Sequence, residues 1–326
     1  MNVKSLVCGT VVLAASVASA PVFAQSESVN LYSSMVLDVI EPIIEEFEAR
    51  HPDIRIDLLY SGSVELEQRI FAEIEAGNLR ADVIWAANPA LFLNLKQAGW
   101  LQRYDSPHAD ALMPGLKDED NMFFAGRVHH MGIGYNTNQV TADQVPQTWA
   151  EFLEWGPRAA MASPLHSGTN FNMMGAFVQH ENIGWEWFEQ AREAQVQVVR
   201  GTGDVTRGVT SGEFAVIKGI DYIMAAEAAR GAPVAFAFPS DGVLALPSPL
   251  AIGKNAPNVE AARLFVDFVL SPEGQQILVD RHFMPVRSDI DPPAGLPSGE
   301  IVALPMDIEW LAEHGSELRE RFADLY

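Results

Sequence analysis

Four short stretches of the chain place small hydroxyl or glycine residues at the start of a helical pattern: Ser33-Ser34, Ser61-Gly62-Ser63, Ser167-Gly168-Thr169 and Gly201-Thr202-Gly203. A helix start leaves backbone N–H groups free and carries the positive end of the dipole. Several starts converging on one point therefore make a cradle for an anion. Ser and Thr hydroxyls add donors, and glycine lets the backbone approach a ligand closely. The same residue types are also ordinary N-caps, and for any one stretch taken singly that reading stands beside the first. Asp221 and Tyr222 follow the β-rich run Phe214 to Ile220. A strand end beside a helix start is where open α/β sheets bind ligands. Asp241, in Pro239-Ser240-Asp241-Gly242, reads equally as a ligand residue or a turn residue.

Other chemistry is harder to assemble. Gly201-Thr202-Gly203 lacks the third glycine of a dinucleotide fingerprint, and the chain contains neither a P-loop nor a G-x-S-x-G elbow. His129 and His130 are adjacent in an extended run, so their side chains point to opposite faces and cannot grip one ion together. The other histidines show no H-x-x-x-H spacing. Acidic pairs such as Glu45-Glu46 sit on a helix face that reads as solvated. No nucleophile–base pair or metal cluster is readable, so the expectation is no catalytic residues, no cofactor and no resident metal.

The elements that must position these residues can be read from periodicity. Val29 to Tyr32, Ile54 to Tyr60 and Ala81 to Trp85 read as strands. They alternate with helices whose apolar faces are Leu37, Ile40, Ile43, Ile44 and Phe47, then Leu66, Ile70, Phe71 and Ile74, then Pro89 to Ala98. That alternation predicts an α/β fold with a parallel sheet covered on both faces. A middle block follows. Val128 to Tyr135 is extended, Thr148-Trp149-Ala150-Glu151 is a capping box, and helices begin after Ser167 and Gly201. Strands then run over Phe214 to Ile220, Val234 to Phe238 and Val243 to Ile252. Two helices close the pattern, one with Phe265, Phe268 and Val269 on its apolar face, the other opened by Ser271-Pro272-Glu273. Asp291 to Pro297 reads as a Pro-rich loop.

Composition bounds the rest. A chain of 326 residues with 48% hydrophobic and 20% charged content has material for a large core and is not disordered. Its formal charge of −22 and pI near 4.6, with no Lys/Arg run, argue against nucleic acid or an anionic membrane as partner. Residues 1–24 read as a signal peptide: Lys4, the apolar run Ser5 to Ala20, then Val22-Phe23-Ala24 with cleavage before Gln25. The one cysteine, Cys8, falls within it, so the exported chain uses no disulfide.

Six stretches carry a resemblance: LYSSMVLDVIEPIIEEFEARHPDI (31–54), ADVIWAANP (81–89), MGIGYNTN (131–138), SPLHSGTNFNMMGAFVQ (163–179), RGTGDVTRGVTSGEFAVIKGIDYIMA (200–225) and VEAARLFVDFVLSPEGQQIL (259–278). Running through nearly the whole exported chain in order, they resemble the type II periplasmic solute-binding proteins of ABC importers. The branch is the one that holds ferric-iron, sugar-phosphate, phosphoglycerate and phosphonate binders. The resemblance implies a two-lobed α/β fold with the solute in the cleft and two crossing segments, near Arg127 to Gly132 and Val243 to Pro247. Lobe one would comprise residues 25–127 plus 245–326, and lobe two residues 128–244. It further implies a periplasmic monomer that makes and breaks no bond and delivers a small anionic solute to an inner-membrane permease. Iron binders of the branch use two adjacent tyrosines, whereas Gly219-Ile220-Asp221-Tyr222-Ile223 holds one. That departure favours an organophosphate, with ferric iron on Tyr222 and an exogenous anion as the alternative, and a secreted hydrolase as the less favoured third reading. Ser33, Ser34, Ser61, Ser63, Ser167, Gly168, Thr169, Asp221, Tyr222 and Asp241 are the expected site residues.

Overall fold

The computed structural model describes residues 27–293 and 301–326. The expected signal peptide lies outside the described residues, as does the end of the Pro-rich loop. In chain order the elements are β1 (Glu27–Ser33), α1 (Leu37–Arg50), β2 (Ile54–Tyr60), α2 (Ser63–Glu75), β3 (Val83–Trp85), α3 (Pro89–Gln97) and β4 (Phe124–Asn136). Next come α4 (Trp149–Leu153), β5 (Ala159–Ala162), α5 (Gly168–Gln179), α6 (Glu186–Glu193), β6 (Gln197–Val199), α7 (Thr202–Ser211) and β7 (Val216–Ile220). The chain continues through α8 (Asp221–Ala229), β8 (Val234–Ala237), β9 (Leu244–Ile252), α9 (Val259–Leu270), α10 (Pro272–Val279) and α11 (Ile308–Leu325).

Local sequence accounts for most of these boundaries. In α1 the buried Val39, Ile40, Ile43 and Phe47 recur every three or four residues, and the helix stops at His51-Pro52. Ser167 caps α5 by accepting from the Asn170 N–H, and Ser271 caps α10 by accepting from Gly274. The capping box at Thr148 is only half formed. Its hydroxyl accepts from Glu151 N–H at 3.1 Å, but the Glu151 carboxylate turns to Gln147 N–H at 2.7 Å, and α4 lasts five residues. Elements absent from the sequence reading are short (β5, β6), follow a strand with no breaker between (α8), or are helices with a narrow apolar face in a largely polar stretch (α6, α11).

Among the described residues nine strands form one sheet, ordered β2-β1-β3-β9-β4-β7-β5-β6, with β8 also on β4. The expected parallel sheet is found only at its two ends. There β1 pairs parallel with β2 and β3, and β5 with β6 and β7. The middle is antiparallel, because the two long strands β4 and β9 pass back and forth between the ends. β4 changes partner along its length, pairing β9 from Phe124 to Met131, then β7 from Met131 to Tyr135. The mixed sheet therefore reads as two parallel halves joined by two continuous strands.

Helices cover both halves. The α9 face expected from sequence is buried, with the Phe265 ring edge-on to Phe47 at 5.2 Å. A smaller cluster gathers Tyr32, Leu66, Ile70 and Phe92 on one half, and another gathers Ala160, Val205, Val209 and Ile217 on the other. The C-terminal helix α11 touches both α3 and α5. Its Phe322 ring lies 6.0 Å from Phe188, and Leu311 fills the space beside Gly175.

Candidate functional site

The site begins with an irregularity in β4. Its register against β9 shifts between Ala125 and Arg127, and such a bulge re-aims the side chain that follows it. Gly126 is required there, since a Cβ would lie 2.7 Å from the Trp85 indole. Arg127, 4% exposed, donates from Nε to Ser248 Oγ at 3.2 Å. Its Nη1 has no hydrogen-bond partner among the described residues. The guanidinium instead lies over the Phe283 ring at 4.8 Å and the Tyr222 ring at 5.6 Å. Those two rings stack on each other at 3.9 Å.

Two residues further along β4, His129 faces the same way. Its Nε2 lies 3.3 Å from Thr169 Oγ1, while its buried Nδ1 has no partner among the described residues. Burial holds this imidazole well below its ordinary pKa, and the neighbouring Arg127 charge pushes the same way, so the ring is neutral at pH 7. Burial also pushes the Tyr222 phenol up, against the Arg127 charge, which pulls it down.

These side chains form one wall of a cleft of about 320 Å³. The other walls are helix starts: Gly62 and Ser63 at α2, Ser167, Gly168 and Thr169 at α5, Thr202 and Gly203 at α7, and Tyr222 and Ile223 at α8. Ser34 joins them, its hydroxyl accepting from Ala87 N–H at 3.1 Å. The Ser167 and Thr202 hydroxyls lie 3.3 Å apart, which ties the α5 and α7 starts together. Gly168 brings α5 against α2: a Cβ there would sit 2.8 Å from the Ser63 Cβ. No acidic side chain lines the cleft among the described residues. The cleft thus offers one buried guanidinium, several hydroxyls and open helix N-termini, a donor set for a compact anion.

Six of the ten residues expected from sequence line this cleft, namely Ser34, Ser63, Ser167, Gly168, Thr169 and Tyr222. The other four lie elsewhere. Ser33 is fully buried, and its hydroxyl accepts from Met35 N–H. Ser61 is engaged through its backbone N–H with Ser33 O at 3.2 Å. Asp221 is turned to the opposite face of β4, where it accepts from His130 Nδ1 at 2.8 Å and from Tyr222 N–H at 2.8 Å. It supports the cleft from behind. Asp241 accepts from Trp149 N–H at 2.8 Å, as the turn reading allowed. Arg127 and His129 line the cleft and were not among the residues expected from sequence. Their signal was present: a cation and two imidazoles inside the otherwise apolar run from Phe123 to Tyr135. Among the described residues no group of three or more His, Cys, Asp or Glu is placed to hold a metal.

The family described as bacterial extracellular solute-binding protein matches residues 36–276, and the chain belongs to that family. Its fold is the two-lobed one of the type II periplasmic solute-binding proteins of ABC importers, with the strands β4 and β9 as crossing segments. Among solved structures it resembles the periplasmic binding protein AfuA of Actinobacillus pleuropneumoniae with fructose-6-phosphate bound. The TM-score is 0.81 at 23% identity, over 91% of this chain and 98% of that one. It also resembles the ferric binding protein of Campylobacter jejuni, with TM-score 0.78 at 21% identity, over 91% and 99% of the two chains. Iron uptake protein A1 of Synechocystis is 24% identical over 86% of this chain and 79% of that protein.

Proposed function

We propose that this protein captures a small organophosphate in the cleft, as a sugar phosphate, polyol phosphate or phosphonate, and hands it to an inner-membrane permease without altering it. The observation that carries this reading is Arg127, a buried guanidinium with Nη1 unpartnered among the described residues, in a cleft without carboxylates. An anion with several acceptor oxygens satisfies that group and the surrounding hydroxyls and N–H groups together. The solute-bound neighbour AfuA carries a ligand of this class. We assign residues 25–127 plus 245–326 to one lobe and 128–244 to the other, a division supported by the change of strand partners at Met131. The protein works in the periplasm as a monomer after losing residues 1–24.

A ferric reading draws on Tyr60 and Tyr222, two phenols facing one cleft, and on the iron-binding relatives. The fixed positive charge of Arg127, 5.6 Å from the Tyr222 ring, opposes a trivalent cation unless an anion enters with it. The test is a thermal-shift panel of glycerol 3-phosphate, fructose 6-phosphate, aminoethylphosphonate, inorganic phosphate and ferric citrate. A ligand at 100 times its Kd contributes about 2.7 kcal/mol and raises the midpoint by several degrees. A shift with an organophosphate supports the proposal, and a shift with ferric citrate alone overturns it.

A further inference from the structure

The cleft opens into a second, larger chamber of about 540 Å³. The two share Val36, Thr202, Gly203, Tyr222 and Ile223, so they adjoin along this edge. Their chemistry differs. The inner cleft has one guanidinium and no carboxylate. The outer chamber is lined by as many carboxylates (Asp38, Glu227, Asp280) as guanidiniums (Arg207, Arg230, Arg281). Part of that charge is already neutralised within the protein: Arg230 reaches Asp38 and Glu227, each at 2.9 Å, and Arg207 pairs with Asp204. Between the charged rims lies an apolar floor from α1 and α8, made by Val36, Val39, Ile223 and Ala226. Val36 remains 39% exposed at the boundary of the two chambers, an apolar surface open to a partner group.

We infer that the ligand is bipartite: a phosphate or phosphonate head in the inner cleft, joined to an uncharged, ring-sized, partly apolar body seated on the floor of the outer chamber. This rests on the anion reading of the inner cleft and narrows it. Carboxylates and guanidiniums balance in number in the outer chamber, so it favours neither sign of a second charge, whereas the exposed part of Val36 and the half-buried Ile223 and Ala226 offer apolar surface to be covered.

Isothermal titration with inorganic phosphate, methyl phosphate and phenyl phosphate tests it. Methyl and phenyl phosphate share a head and differ in the body. Phenyl phosphate is expected to bind at least 10-fold more tightly than methyl phosphate. Ala226→Trp, which fills the outer chamber from a partly exposed helical position, is expected to remove that advantage and leave methyl phosphate within about threefold of wild type. Equal affinity of the two esters in the wild-type protein overturns the bipartite ligand while leaving the anion cleft standing. An advantage that survives in a folded Ala226→Trp protein also overturns it. Absence of binding by all three phosphates overturns the anion reading, and this inference with it. The wild-type comparison needs no variant, so a misfolded Ala226→Trp protein does not blunt the test.

Discussion

A buried guanidinium without an ion-pair partner is costly to the folded state, since burial outweighs what the Ser248 hydroxyl, the two aromatic side chains and the Asp221 charge return. Arg127→Met is therefore expected to weaken binding of an organophosphate by about 100-fold or more, the loss of charge-assisted hydrogen bonds of about 1.5–3 kcal/mol each. The same change should leave the ligand-free melting temperature unchanged or higher. Calorimetry on the one variant reads both, and a stable protein with wild-type affinity removes Arg127 from the site. His129 sets a pH dependence. Its folded pKa lies below the unfolded value of 6.5, so above pH 6.5 the group contributes nothing to the pH slope. As pH falls below 6.5 the unfolded chain takes a proton that the fold refuses, and stability drops until the folded value is reached. Denaturant unfolding at pH 7 and pH 5 should show that loss, reduced in His129→Gln. Lys218 acts at the other end. It is fully buried beneath the rings of Phe177, Trp187 and Phe188, at 4.9, 5.3 and 5.5 Å, and burial brings its pKa from 10.5 to about 7. Stability should climb between pH 7 and 10.5, where the unfolded chain holds the extra proton. Lys218→Met should be more stable than wild type at pH 7 and lose that slope; an unchanged slope would place its origin elsewhere.

At the scale of elements, the close contact between two helix starts matters most. Gly168 allows α5 to meet α2 across the cleft, and a methyl group there collides with Ser63. Gly168→Ala is expected to hold these two helices apart and weaken ligand binding about 10-fold or more, with the melting temperature of the ligand-free protein nearly preserved. Titration of the variant checks this, and a variant that binds normally would show that the two starts need not touch. This is also where sequence and structure can be compared. Helix starts were legible because a cap is a local event: Ser167, Gly201 and Ser271 sit where their own next three residues need them. The crossing strands were legible as extended segments, but the wall they present to the ligand was not. Arg127 faces the cleft because of a bulge, and a bulge is set by a pairing partner more than a hundred residues away. The placement of Asp221 was not legible for the same reason, because its neighbour His130 arrives from β4 and not from its own helix. The antiparallel middle of the sheet was hidden too, since strand direction is not written in alternation.

For the whole molecule, the contrast between global and local charge has a measurable consequence. A formal charge of −22 repels an approaching anion, while the buried Arg127 attracts it only at close range. Salt screens the long-range repulsion first, because the Debye length is about 10 Å at 0.1 M. The association rate of an organophosphate should therefore rise by a few-fold between 10 and 150 mM salt, the reverse of ordinary steering. Stopped-flow tryptophan fluorescence reads this directly, and a falling rate would mean that a local positive field dominates the approach. The order of strands in the sheet has a consequence of another kind. β3 has β1 on one side and β9 on the other, so Val83 to Trp85 must wait for Leu250 to Ile252 before that edge closes. Loops that large are slow to close. A nascent chain that has made only its first half therefore leaves one edge of β3 without its partner until β9 emerges.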